Sequence, residues 1–110
     1  MKADLELIKG AMIVTPRERV DSAVAPAFEL IAMDAVHRAR KRVVIDFSAV
    51  DYISSAGLRV MLVVAKESRA CNLAFVLCGL RPDVLKVFET TGLAGLLSIA
   101  SDRSAALRSA

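Results

Sequence analysis

Leu5 and Leu7 alternate with charged residues, and Ala11 to Val14 follow as a short apolar run. This pattern predicts two strands around Lys9-Gly10. Gly10 supplies the turn, and Pro16, with no N–H to donate, ends the second strand. From Ala23 to Arg40 the period becomes helical. Leu30, Met33, Ala35, Val36 and Ala39 recur on one side with Phe28 and Ile31 beside them, while Glu29, Asp34, Arg38 and Arg40 fall on the other. Asp21 or Ser22 is placed to cap this helix, and Pro26 lies in its first turn, where a missing N–H costs little.

Val43, Val44, Ile45 and Phe47 form a nearly continuous apolar run, the mark of a buried central strand. After a connection over 48–53, Ser54-Ser55-Ala56-Gly57 opens a helix with its body from Leu58 to Ala70. Leu58, Met61, Leu62 and Ala65 are expected on its apolar face, with Arg59, Lys66 and Arg69 along a polar edge. A further strand is expected over 72–80, closed by Gly79. Arg81-Pro82-Asp83 then starts a short helix carrying Val84, Leu85, Val87 and Phe88, which Gly92 stops. Leu93 to Ile99 gives a turn and a short last strand, and Asp102 to Leu107 a final helical turn or two. The order β β α β α β α β predicts an α/β fold with a mixed sheet of about five strands. Right-handed crossovers join its parallel pairs, and helices pack mainly on one face.

The chain of 110 residues is one domain's worth, so a single domain over 1–110 is expected. With four Phe, one Tyr and no Trp, it has little stacking surface for single-stranded nucleic acid. The net charge of +3 is spread along the chain except at Arg38 to Arg42. Those cations fall where a helix should end and complement its dipole, which reads as a solvated helix terminus; no direct nucleic-acid contact is expected. Cys71 and Cys78 bracket a strand, a separation of about 20 Å that no disulfide spans, so both are expected as reduced thiols. The N-terminal segment MKADLELIKG is too charged for a signal peptide, and no apolar stretch approaches the ~20 residues that cross a bilayer. A cytoplasmic protein without membrane insertion is the expectation.

His37 near a helix end and two cysteines make no metal-ligand pattern. Neither a nucleophile elbow nor a phosphate-binding glycine loop is present, so no catalytic centre and no cofactor are expected. The segment DYISSAGLRVML is the most unusual one. Ser54 or Ser55 sits at or next to an N-cap, and Ala56 and Gly57 are small enough for another chain or a large anion to approach closely. The unpaired N–H groups of a helix start favour an anion, so a phosphate on either serine would be stabilised locally. Taken alone, two serines before a helix are first of all caps; a modification site is the sharper alternative.

The segment VVIDFSAVDYISSAGLRVML resembles the signature of STAS domains, found in bacterial anti-sigma-factor antagonists. VDSAVAPAFE and GLRPDVLKVFETTGLAGLLSIASDRSAAL are similar to the family's first helix entrance and C-terminal half, so the likeness covers nearly the whole chain. The resemblance implies a non-enzymatic binding module whose partner is an anti-sigma factor, typically a serine kinase using ATP. That kinase would phosphorylate the antagonist and end the complex, and a phosphatase would restore it. On the family motif, Ser55 takes the acceptor position, Ser54 stands where the family has Asp and is the alternative acceptor, and Gly57 gives the tight helix start. The implied partner surface comprises Asp21, Ser22, Ser54, Ser55, Ala56, Gly57 and Arg59, on a monomer or weak dimer. The missing carboxylate at Ser54 supports an alternative: an unphosphorylated accessory or scaffold subunit of a stress-signalling complex or a lipid or anion transporter.

Overall fold

The computed structural model describes residues 1–108. Two strands open the chain, β1 (Ala3–Ile8) and β2 (Ala11–Pro16). Then follow α1 (Ala25–Arg38), β3 (Arg42–Asp46), α2 (Ser55–Ala70), β4 (Ala74–Cys78) and α3 (Pro82–Thr90). A single 3-10 turn (Leu93–Gly95), β5 (Ser98–Ala100) and α4 (Arg103–Arg108) complete the described chain. The five strands lie side by side in chain order, β1 antiparallel to β2 and the other three pairings parallel. The expected element order and mixed sheet are thus observed. Lys9 and Gly10 both take positive φ, 49° and 87°, the pairing that a two-residue hairpin turn requires of its central residues. The Gly10 carbonyl accepts the N–H of both Arg40 and Lys41, which fixes where α1 hands over to β3.

Strand pleating sends alternate residues to opposite faces. Met12, Val14, Val43, Ile45 and Leu77 face the layer of α1, α2 and α3 and build the main core with Phe28, Met61, Val64, Val84 and Phe88. Phe47 joins this core between two rings, edge-on to Phe28 at 6.4 Å and tilted to Phe88 at 6.1 Å. Ile13, Val44, Val76 and Cys78 point the other way, where Ala106 of α4 covers them.

Two helices differ from expectation in phase. α1 begins at Ala25, because Asp21 Oδ1 accepts the N–H groups of Ala23 (3.0 Å) and Val24 (3.1 Å) and holds the preceding residues in a turn. Its buried stripe is Ala25, Phe28, Ala32, Ala35 and Val36, and Leu30 is 75% exposed. Small alanines bring α1 close to its neighbours, and Leu30, two residues from both Phe28 and Ala32, projects from another side. α2 buries Gly57, Leu58, Val60, Met61, Val64 and Ser68, while Leu62 is on the surface. β4 is also shorter than the apolar run suggested, since Asn72 with φ 58° closes α2 first.

Candidate functional site

The loop from β3 to α2 carries both serines. Ser54 has extended backbone (φ −88°, ψ 171°) and is the N-cap of α2, its Oγ accepting the N–H of Gly57 at 3.2 Å. Its hydroxyl therefore serves the helix start. Ser55 is the first residue of the helix, exposed, and its hydroxyl has no hydrogen bond among the described residues. The two serines thus divide the roles that the sequence left open between them: one caps, the other faces solvent.

A second loop is fastened to the first. Val20 donates its N–H to the Tyr52 carbonyl (2.9 Å), and Ser54 donates its own to the Val20 carbonyl (2.8 Å), a short parallel bridge between Val20 and Ile53. Gly57 makes this approach possible. A Cβ there would lie 2.7 Å from Ile53 Cγ1 and 2.8 Å from Val20 Cγ1, inside contact distance. Outside the bridge, the Arg19 guanidinium lies 4.4 Å from the centroid of the half-exposed Tyr52 ring. The bridge brings Asp21 and Ser22 beside the serine loop. Ser22, Ala56 and Arg59, with Ala25, Pro26, Glu29, Leu30 and Val60, line a shallow groove of about 440 Å³ between α1 and α2.

Of the residues expected to face a partner, Ser22, Ser55 and Arg59 are exposed, and Asp21, Ser54 and Ala56 are half-buried. Gly57 is buried, so it acts through packing. Arg59 follows Ser55 by one helical turn and has no ion pair among the described residues.

The root of the loop rests on a buried carboxylate. Asp46 Oδ1 accepts the Ser48 N–H (2.9 Å), and Oδ2 accepts from Arg103 Nε of α4 (2.7 Å). Arg103 also donates to Thr15 Oγ1 (2.6 Å) and to Glu6 Oε1 (3.0 Å), tying β1, β2 and β3 to α4. Burial opposes the charge on Asp46, but the Arg103 and Ser48 hydrogen bonds outweigh it and hold its carboxyl below the usual carboxylate value. From the other side Arg81 Nε donates to the Ser48 carbonyl at 3.0 Å. Asp46, Arg81, Arg103 and the Val20–Tyr52 clamp are not among the site residues expected from the sequence. Asp46 alone left a signal: a carboxylate in an otherwise apolar strand has to find a buried partner. His37 lies outside this site, its Nε2 2.9 Å from Glu67 Oε2 between α1 and α2. No group of residues suited to hold a metal ion occurs among the described residues, and no described helix is long and apolar enough to cross a membrane.

A single mixed sheet flanked by helices, with an exposed serine at the end of a doubly fastened loop beside small side chains and a shallow groove, defines an α/β domain. The sequence matches the STAS domain family over residues 2–106, and the chain belongs to that family. It is 42% identical over 106 residues to a protein of Bordetella bronchiseptica provisionally named anti-sigma factor antagonist BtrV, covering 96% of this chain and 91% of that one. The fold is shared with a provisionally named anti-sigma factor antagonist of Thermotoga maritima (TM-score 0.88, 20% identity, 96% and 91% of the two chains). It is shared as well with the phosphorylated form of the Bacillus cell fate determinant SpoIIAA (TM-score 0.72, 19% identity, 97% and 98%).

Proposed function

We propose that this chain is an anti-sigma factor antagonist: it binds an anti-sigma factor through the Ser22, Ser54–Ala56 and Arg59 surface, and phosphorylation of Ser55 ends that binding. The observation that carries the reading is the division of labour at the helix start. Ser54 spends its hydroxyl on the Gly57 N–H, and Ser55 offers a free, exposed hydroxyl to a kinase. The name of the 42% identical relative supports the class of partner. The phosphorylated SpoIIAA structure supports the compatibility of this fold with a phosphate.

The physical logic is local. Phosphate adds a charge of about −1.5 to −2 at pH 7. At the first position of α2 it meets unpaired backbone N–H groups and the positive end of the helix dipole, so the domain itself tolerates the modification. A partner packed against Ser55 and Ala56 does not, because the dianion must be stripped of water or left facing carboxylates. Each ~1.4 kcal/mol of that penalty lowers affinity tenfold. The kinase is the anti-sigma factor itself, using ATP, and a phosphatase resets the switch. Neutral Ser54 leaves no carboxylate directly before the acceptor, so the kinase that acts here does not depend on one.

Incubation with ATP and an extract of the source cells, followed by intact-mass measurement and peptide mapping, tests this. One phosphate on the Ser55 peptide, absent in Ser55→Ala, is expected. A chain that stays unmodified while it co-purifies with a transporter ATPase would replace this reading with the accessory-subunit one.

A further inference from the structure

The helical layer is divided. α1 packs on α2, α3 packs on the 3-10 turn, and between α2 and the turn–β5 segment a groove stays open over the start of β4. It consists of two adjoining hollows of about 430 and 350 Å³ that share Ala65, Arg69, Leu96 and Leu97 as walls. β5 leaves it uncovered, because its three residues pair only with Val76 to Cys78 while β4 begins at Ala74.

Two features make this groove more than a gap. Leu62 on one wall and Leu96 on the other are among the few large apolar side chains exposed on the described surface, Leu96 at 69%. Exposed leucines that line one groove mark a contact surface more than scattered ones do. The charge is also one-sided: Lys66 and Arg69 line the groove, neither has an ion pair among the described residues, and no lining residue is acidic.

We infer that this groove is a second docking surface, which takes an acidic amphipathic helix of a protein partner and does not depend on what happens at Ser55. From Leu62 to Ala70 the wall of α2 runs about 12 Å, the length of just over two helical turns, and Asn72 lies at its end. A helix laid along it sets leucine-sized side chains between Leu62, Phe75, Leu96 and Leu97, and its flanking carboxylates reach Lys66 and Arg69. This is the helix-in-groove mode, with apolar anchors giving affinity and the cations giving orientation and selection. Leu62 lies seven residues beyond Ser55, roughly 10 Å along the helix, which separates the two surfaces.

The test is a titration of the 15N-labelled protein, followed by amide shifts, with a blocked peptide of about four helical turns. The peptide carries Leu at helical spacing and Glu elsewhere; a second peptide has Lys for Glu, and phosphatidylglycerol vesicles serve as the third probe. The acidic peptide is expected to shift amides of Leu62 to Asn72 and Leu96 to Ser98 and to leave those of Ser54 to Ala56 in place. Combined Lys66→Glu and Arg69→Glu is expected to weaken it at least ~tenfold, as is roughly tenfold higher ionic strength. Both positions are solvent-facing, so the thermal midpoint of the double variant confirms its fold. Absence of shifts, shifts centred on the Ser22–Leu30 groove, an equal response to the basic peptide, or binding of vesicles in place of the acidic peptide would each overturn the inference.

Discussion

Replacing Gly57 with alanine places one methyl group against the contact that holds the two loops together. That Cβ would sit 2.7 Å from Ile53 Cγ1, 2.8 Å from Val20 Cγ1 and 3.3 Å from Ile53 Cδ1. Both neighbours are branched, buried side chains, at 4% and 0% exposure, with no solvent to retreat into. Overpacking of this kind costs about 1–3 kcal/mol. Alanine recovers part of it by helix propensity, at most ~1 kcal/mol and less in a first turn. The net expectation is a loss of about 1–2 kcal/mol, which lowers the thermal midpoint of a domain this size by roughly 4–10 °C. Gly95→Ala is the control, since a Cβ there meets nothing within 4 Å. It should leave the midpoint unchanged or raise it slightly. Circular dichroism melts give the midpoints. Hydrogen exchange gives the location: the Val20 and Ser54 amides, bonded across the loops at 2.9 and 2.8 Å, should lose more protection than the sheet amides. A Gly57→Ala midpoint equal to or above the parent's would refute the reasoning.

Four further outcomes follow from other parts of the molecule. Asp46 is held below its unfolded value, so the stability it contributes is present above pH ~4 and is lost as pH falls through its depressed folded value. Urea midpoints measured from neutral pH to strong acid should therefore fall less steeply in Asp46→Asn than in the parent. Arg103→Met should cost about 2 kcal/mol at neutral pH, below the usual figure for breaking a buried pair because the Arg103 side chain is itself 37% exposed. The Ser68 hydroxyl is buried without a hydrogen-bond partner among the described residues, so Ser68→Ala should be neutral or stabilising by up to ~1 kcal/mol in the same urea assay. Burial beside Asp46 pushes the Cys78 thiol up to about 12, whereas Cys71 is exposed. Brief alkylation of the native protein near pH 8 should therefore mark Cys71 alone by mass spectrometry, with Cys78 reacting only after denaturation.

Strand existence and order were legible because Ala11–Val14 and Val43–Ile45 are short apolar runs rich in β-branched residues, the pattern of buried strands. Helix phase was not. Between Ala56 and Ala65 only Arg59 is polar, so periodicity cannot say whether Leu62 or Val64 faces the sheet; packing decides, and it buries Val64. Leu30 misled for a similar reason, since the close approach of α1 rests on Ala25, Ala32 and Ala35, which look unremarkable in sequence. At the site, the serine pair was visible but its division of roles was not, because capping depends on the φ and ψ of Ser54. The clamp of Val20 on Tyr52 and Ser54 is made by backbone groups, which leave no trace in residue type. The partnership of Asp46 with Arg103 spans 57 positions of the chain and could not be read locally.

The most direct test of the phosphorylation switch is the affinity of the anti-sigma factor for this chain with and without phosphate on Ser55. Calorimetric titration of the unmodified protein, of Ser55→Ala and of the enzymatically phosphorylated protein separates the alternatives. Tight binding of the first two and a loss of at least ~hundredfold in the third, about 2.7 kcal/mol, is the predicted result. Equal affinity of the phosphorylated and unmodified proteins would contradict it.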